Sequence, residues 1–137
     1  MFDTPTWRAS NDWFLKLGYK PEIVTQVAKE AVAVLKRVQE QVGVNMIIGG
    51  QIGPRGDGYA VDGMMSAKEA ADYHLPTVRA LVDEGVNAIN VLTLNYLEEA
   101  QGAASACSQC DIPYSLVFTL ETDGTLPSGQ SLEDAIR

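Results

Sequence analysis

Metal-ligating residues are scarce in this 137-residue sequence, which has one histidine, His74, and two cysteines, Cys107 and Cys110. A closed zinc site draws on two Cys/His pairs, so these three residues exclude one. The CSQC spacing is shared by redox pairs and half zinc sites; a surface pair near a helix end is the expectation. Basic residues are also few, 10 against 18 acidic, for a net charge of −8. That balance disfavours a phosphate backbone and leaves small molecules or proteins, rather than nucleic acid, as partners. No apolar run reaches the roughly 18 residues that a bilayer span needs. The N-terminus MFDTPTWRAS lacks the basic and apolar segments of a signal peptide, so the chain is read as cytoplasmic and not membrane-bound. Low-complexity tracts are absent too, and with 46% hydrophobic and 20% charged residues the chain reads as one folded domain over 1–137.

What is present is alternation. From Pro21 to Val42, apolar residues recur at three- and four-residue steps, predicting a helix that Gly43 stops. NMIIGG follows as a short apolar strand of the kind buried on both faces of a parallel sheet. The segment Gln51 to Gly63 holds four glycines and a proline and reads as a long loop. Ser66 with Glu69 forms a capping box for a helix ending near Glu84, where Gly85 interrupts. NAINVLTL is the next strand, YLEEAQGAASACSQC a helix and IPYSLVFTL a third strand. ETDGTLPSGQ is a polar loop, and SLEDAIR begins a helix capped by Ser131 with Asp134 at its third position. The first dozen residues fit the end of a strand and the loop after it.

Regular alternation of strand and helix predicts an α/β protein with a parallel sheet, either barrel or doubly wound. A complete (β/α)₈ barrel takes roughly 250 residues, so a barrel here is a partial one, incomplete at both ends. Such an arrangement exposes sheet edges through which copies can associate.

The loops carry a more specific signal. TPTWRAS, GGQIGPRGDGY, LTLNYLEEA and FTLETDGTLPSGQSLEDAI, in this order and spacing, resemble the homocysteine S-methyltransferase family, in a branch with a TPTWRA signature. The resemblance covers essentially the whole chain and implies a (β/α)₈ TIM barrel, here from the end of its second strand to the start of its fifth helix. It implies methyl transfer from a sulfonium, betaine or folate-type donor to the thiol of homocysteine, giving methionine. It also implies zinc as cofactor, held by three cysteines that lie beyond Arg137; neither Cys107 nor Cys110 corresponds to them. A glutamate that the family often carries at the end of its fourth strand, where it holds the substrate amine, is matched here by Leu92. The chain alone is expected to be inactive, the alternative being a non-catalytic, self-assembling βα module.

On that resemblance the substrate-binding candidates are Thr4, Trp7, Arg8, Arg55, Asp57, Thr93, Asn95 and Glu121, at a strand end or in the loop after it. Each has a competing structural role. Arg55 and Asp57 can meet a ligand or pair with one another. Gly53, Gly56 and Gly58 serve turn geometry. Trp7 can simply pack, Asn95 can cap the next helix, and Tyr96 can join Thr93 and Asn95 as a neutral hydrogen-bonding group. Glu121 and Asp123 can act as acid-base groups or form a solvated DG turn. His74 is expected on a helix surface or between helices.

Overall fold

The computed structural model describes residues 1–136. In chain order the elements are β1 (Phe2–Asp3), α1 (Asn11–Lys16), α2 (Ile23–Val42), β2 (Ile48–Ile52), α3 (Ala67–Asp83), β3 (Ala88–Leu94), α4 (Leu97–Gln109), β4 (Tyr114–Phe118) and α5 (Leu132–Ile136). The helix signals act where the sequence puts them. Gly43 takes a left-handed φ of 65° to end α2, which a residue with a Cβ adopts only at a cost. At α3, Ser66 Oγ accepts from the Glu69 amide while the Glu69 carboxylate accepts from the Ser66 amide. A bond from the Ser66 hydroxyl to the Glu69 carboxylate at 2.7 Å, followed by that amide bond, holds the Glu69 carboxyl below its ordinary value. Ser131 Oγ likewise accepts from the Asp134 amide at 3.1 Å.

Four strands pair in the order β1-β2-β3-β4, every pair parallel. A doubly wound sheet reverses its strand order partway across, and this one does not. Side chains of α1 to α4 join Ile48, Ile52, Ile89 and Val91 in one apolar cluster, so these helices cover a single face. The opposite face carries a polar row, in which Asn90 Nδ2 donates to Asp3 Oδ1 at 2.6 Å and Ser115 Oγ donates to Asn90 Oδ1 at 2.8 Å. Gly49 lies under that row, and a Cβ there would collide with the Asp3 carboxylate and stand 2.7 Å from Asn90 Nδ2. An unreversed parallel sheet with its helices on one side is the wall of a barrel.

Several boundaries differ from the sequence reading. The helix α1 was not foreseen. The strand β2 begins at Ile48 and includes Gln51 and Ile52, so the loop starts at Gly53. It extends that far because Gln51 and Ile52 pair with Asn90 and Val91. The strand β4 is confined to Tyr114–Phe118. Arg137, expected in the last helix, lies outside the described residues. Both outer strands carry exposed apolar side chains, Phe2 on β1 and Tyr114 and Val117 on β4, and Ile47 beside Phe2 is exposed as well. Among the described residues, no helix is long and apolar enough to cross a membrane.

Candidate functional site at the strand C-termini

All four strand-to-helix connections emerge at the C-terminal end of the sheet, the end where parallel α/β folds place ligands. The longest, residues 53–66 between β2 and α3, is gripped by the other three. Its consecutive carbonyls at Gly56, Asp57 and Gly58 accept from Arg8 NH1 (3.1 Å), Asn95 Nδ2 (2.7 Å) and Thr119 Oγ1 (2.9 Å). Those three donors come from the connections after β1, β3 and β4. The rim is therefore one cross-linked surface.

Glycine makes this approach feasible. A Cβ at Gly53 would stand 2.6 Å from Trp7 Nε1, and one at Gly58 would stand 3.0 Å from both Thr93 Oγ1 and the Trp7 ring. Of Gly53, Gly56 and Gly58, Gly56 alone, at φ 79°, answers to the expected turn geometry; Gly53 and Gly58 serve close packing against Trp7 instead.

The candidates from β1 lie together. Thr4 is fully buried and its Oγ1 accepts from the Gln51 amide at 3.0 Å, while Thr6 Oγ1 donates to the Gln51 carbonyl at 2.6 Å. Thr4 thus fastens the first loop to β2. Trp7 Nε1 donates to Thr93 Oγ1 at 3.1 Å, joining the β1 and β3 connections. The Arg8 guanidinium lies 4.4 Å from the Trp7 ring centre and 4.5 Å from that of Trp13. That placement fixes the only cation in the first loop by cation–π attraction.

Arg55 and Asp57 do not pair with each other. Arg55 NH2 donates to the Gly63 carbonyl at 2.8 Å, and Asp57 Oδ1 accepts from the Tyr59 amide at 2.8 Å. Each side chain closes part of its own loop, because Gly56 between them, at φ 79°, turns the chain and sends the two side chains to different partners. Thr93 holds a φ of 58°, unusual for a β-branched residue. It sits where the β3–β4 register shifts, between Val91 and Leu94. Such bulges re-aim side chains beside sites. Asn95 is not the cap of α4; Tyr96 occupies that position. Asn95 is instead almost fully buried, with Nδ2 on the Asp57 carbonyl and Oδ1 without a partner. The Tyr96 hydroxyl accepts from the Met65 amide at 3.0 Å, and burial pushes it up to about 12.

Glu121 is exposed, and only its backbone is engaged, in a turn with Thr125. Asp123 accepts from both the amide and the hydroxyl of Thr125, which lowers its carboxyl from the usual value. The DG segment is thus a solvated turn.

One buried pair escaped the sequence reading. His74 Nε2 and Glu99 Oε1 lie 3.0 Å apart between α3 and α4, with side chains 3% and 0% exposed. Glu99 Oε1 also accepts from the Arg55 amide at 2.7 Å. His74 is therefore an interhelix residue rather than a surface one. A signal was available, since each residue lies on the apolar stripe of its helix, His74 among Ala70, Ala71, Val78 and Leu81, Glu99 among Ala103, Ala106 and Cys107. Charged residues on such a stripe are seldom solvated.

The cysteines lie at the other end of α4. Cys107 is fully buried rather than on the surface, and burial pushes its thiol up to about 12. Both thiols are free. Among the described residues, no three His, Cys, Asp or Glu side chains are grouped to hold a metal ion. These residues do not fit a zinc centre.

The sheet order, the one-sided helices and the rim loops define a partial (β/α)₈ barrel. The chain belongs to the homocysteine S-methyltransferase family, whose sequence profile matches residues 1–137. It is similar in fold to the homocysteine methyltransferase MmuM from Escherichia coli. The metallated form of that protein is 22% identical with a TM-score of 0.84, over 98% of this chain and 51% of that one. The oxidized form is 21% identical with a TM-score of 0.86, over 98% and 50%. The apo form is 23% identical with a TM-score of 0.68, over 82% and 43%. The chain thus spans about half the length of these structures. No curated protein sequence matches it.

Proposed function

We propose that these β/α units supply half of the ligand-binding rim of a barrel that transfers a methyl group to a thiol acceptor such as homocysteine, giving methionine. The observation that carries this reading is the family match over 1–137 on a chain whose four connections form one cross-linked rim. Thr4, Trp7 and Thr93 shape the floor of that rim, and Arg8, Arg55, Asp57, Asn95 and Glu121 are its polar groups. The family's zinc would polarise the acceptor thiol, but since this chain's residues do not fit the ion, the thiol-activating step lies outside them. Free Cys107 and Cys110 suit a reducing, cytoplasmic setting.

The test has two arms. L-homocysteine or S-methylmethionine added to the labelled chain should shift amide resonances of residues 4–8, 53–66 and 93–96; shifts scattered over the helices instead would end the rim reading. With zinc and both compounds present, the chain alone should form no methionine. Turnover by the lone chain would overturn the placing of the thiol-activating step.

A second reading is favoured by the exposed Phe2, Ile47, Tyr114 and Val117 beside the open edges. It is a module that associates through those edges. Light scattering decides, because a monomer at all concentrations rules edge pairing out.

A further inference from the structure

We propose that Glu99 and His74 are a buried positioning pair, whose purpose is to fix the shape of the 53–66 loop through the Arg55 amide. The two residues sit on different helices, yet one oxygen, Glu99 Oε1, takes both the His74 ring nitrogen and the Arg55 N–H. Arg55 is thereby held at the point where the chain leaves β2 for the rim. From there its guanidinium reaches Gly63 and closes the loop on itself.

The arrangement is a poor way to stabilise a core. Glu99 Oε2 is buried with no hydrogen-bond partner of its own. Burial without a partner costs more than a typical hydrogen bond returns. A buried polar pair replaced by apolar side chains of the same shape commonly leaves a protein about as stable or more so. What an apolar pair cannot do is accept from the Arg55 amide. The carboxylate therefore acts on the loop rather than on the fold, and no other described side chain bonds that amide.

This inference rests on the rim reading for the loop's purpose, but its test needs no ligand. Amide hydrogen exchange is followed by NMR in the wild-type chain, in Glu99→Gln, and in Glu99→Leu combined with His74→Leu. In the double variant the Arg55 amide and its loop should exchange at least about tenfold faster, while amides of β3 keep their rates and the melting temperature does not fall. Glu99→Gln retains a carbonyl oxygen and should keep Arg55 protected. Unchanged loop exchange in the double variant overturns the proposal. So does uniformly faster exchange or failure to fold, since the pair would then serve the whole fold. Loss of protection in Glu99→Gln equal to that in the double variant counts against it too. Absence of homocysteine binding by the wild type ends the rim reading and leaves the positioning pair standing.

Discussion

The loops after β2 and β4 both lie at the rim, yet they are held by opposite means. Residues 53–66 are fastened by Arg8, Asn95, Thr119, Tyr96 and Glu99, which stand up to 61 positions away in the chain. Residues 119–131 are held mostly by their own atoms: Asp123 on Thr125, the Thr125–Ser131 bridge, and the Leu126 amide on the Gln130 carbonyl. The first loop is ordered mainly by the tertiary fold and the second mainly by local turn chemistry, with Ser128 and Gln130 tying it to Asn95, Leu97 and Glu98. A disturbance of the scaffold should therefore loosen the first and spare the second.

The largest effect should come from Gly102, where a Cβ would collide with Ala70 and stand 2.6 Å from the Ala71 amide nitrogen. Gly102→Val forces α3 and α4 apart and should cost at least about 3 kcal/mol in urea unfolding. Because both loops stand on α4, this change erases the contrast between them. Asn95→Ala sharpens it. The Asp57 carbonyl loses its donor, so stability should fall by about 1–3 kcal/mol, with faster exchange over 53–66 and little change over 119–126. A loss of protection in the second loop as large as in the first would refute the contrast.

Arg8→Met comes next, at about 1 kcal/mol, since it removes one hydrogen bond and the cation between two indoles. Tryptophan fluorescence should report it, because both Trp7 and Trp13 lose the guanidinium; an unchanged spectrum speaks against the stacking. The smallest effect belongs to Asp123. Its carboxyl lies below the ordinary value of 3.8 because it accepts from Thr125. A depressed carboxyl stabilises the fold above its unfolded-state value, and that stability is lost as pH falls through the folded-state value. Asp123→Asn should flatten acid unfolding slightly, seen by circular dichroism, without touching residues 53–66.

The same division decides what could be read from the sequence. Ser66 with Glu69, Ser131 with Asp134, and the stops at Gly43 and Gly85 are local devices, and each acts as its residues imply. The barrel needed more, because alternation fits two sheet architectures; the loop motifs chose, and the strand order agrees. The helix α1 is six residues long, too short for a periodic stripe to register. Gln51 reads as loop because it opens a segment of four glycines and a proline, but Thr4 and Thr6 bond its backbone and hold it in the strand. Arg55 and Asp57 had two readings, a ligand or each other, and the second fails because each bonds the backbone of its own loop. Glu99, 25 positions from His74, could not be matched to it without the packing of α3 on α4.

The three clamped carbonyls also set a schedule. Gly58 waits for Thr119, which follows it by 61 residues. At about 5–20 residues per second of synthesis, that gap lasts roughly 3–12 s. Through that interval the loop has left the ribosome's active centre with its last clamp still unmade. Its final shape is thus a late event in the life of a nascent chain, reached only when the fourth strand arrives, however early its own residues were joined.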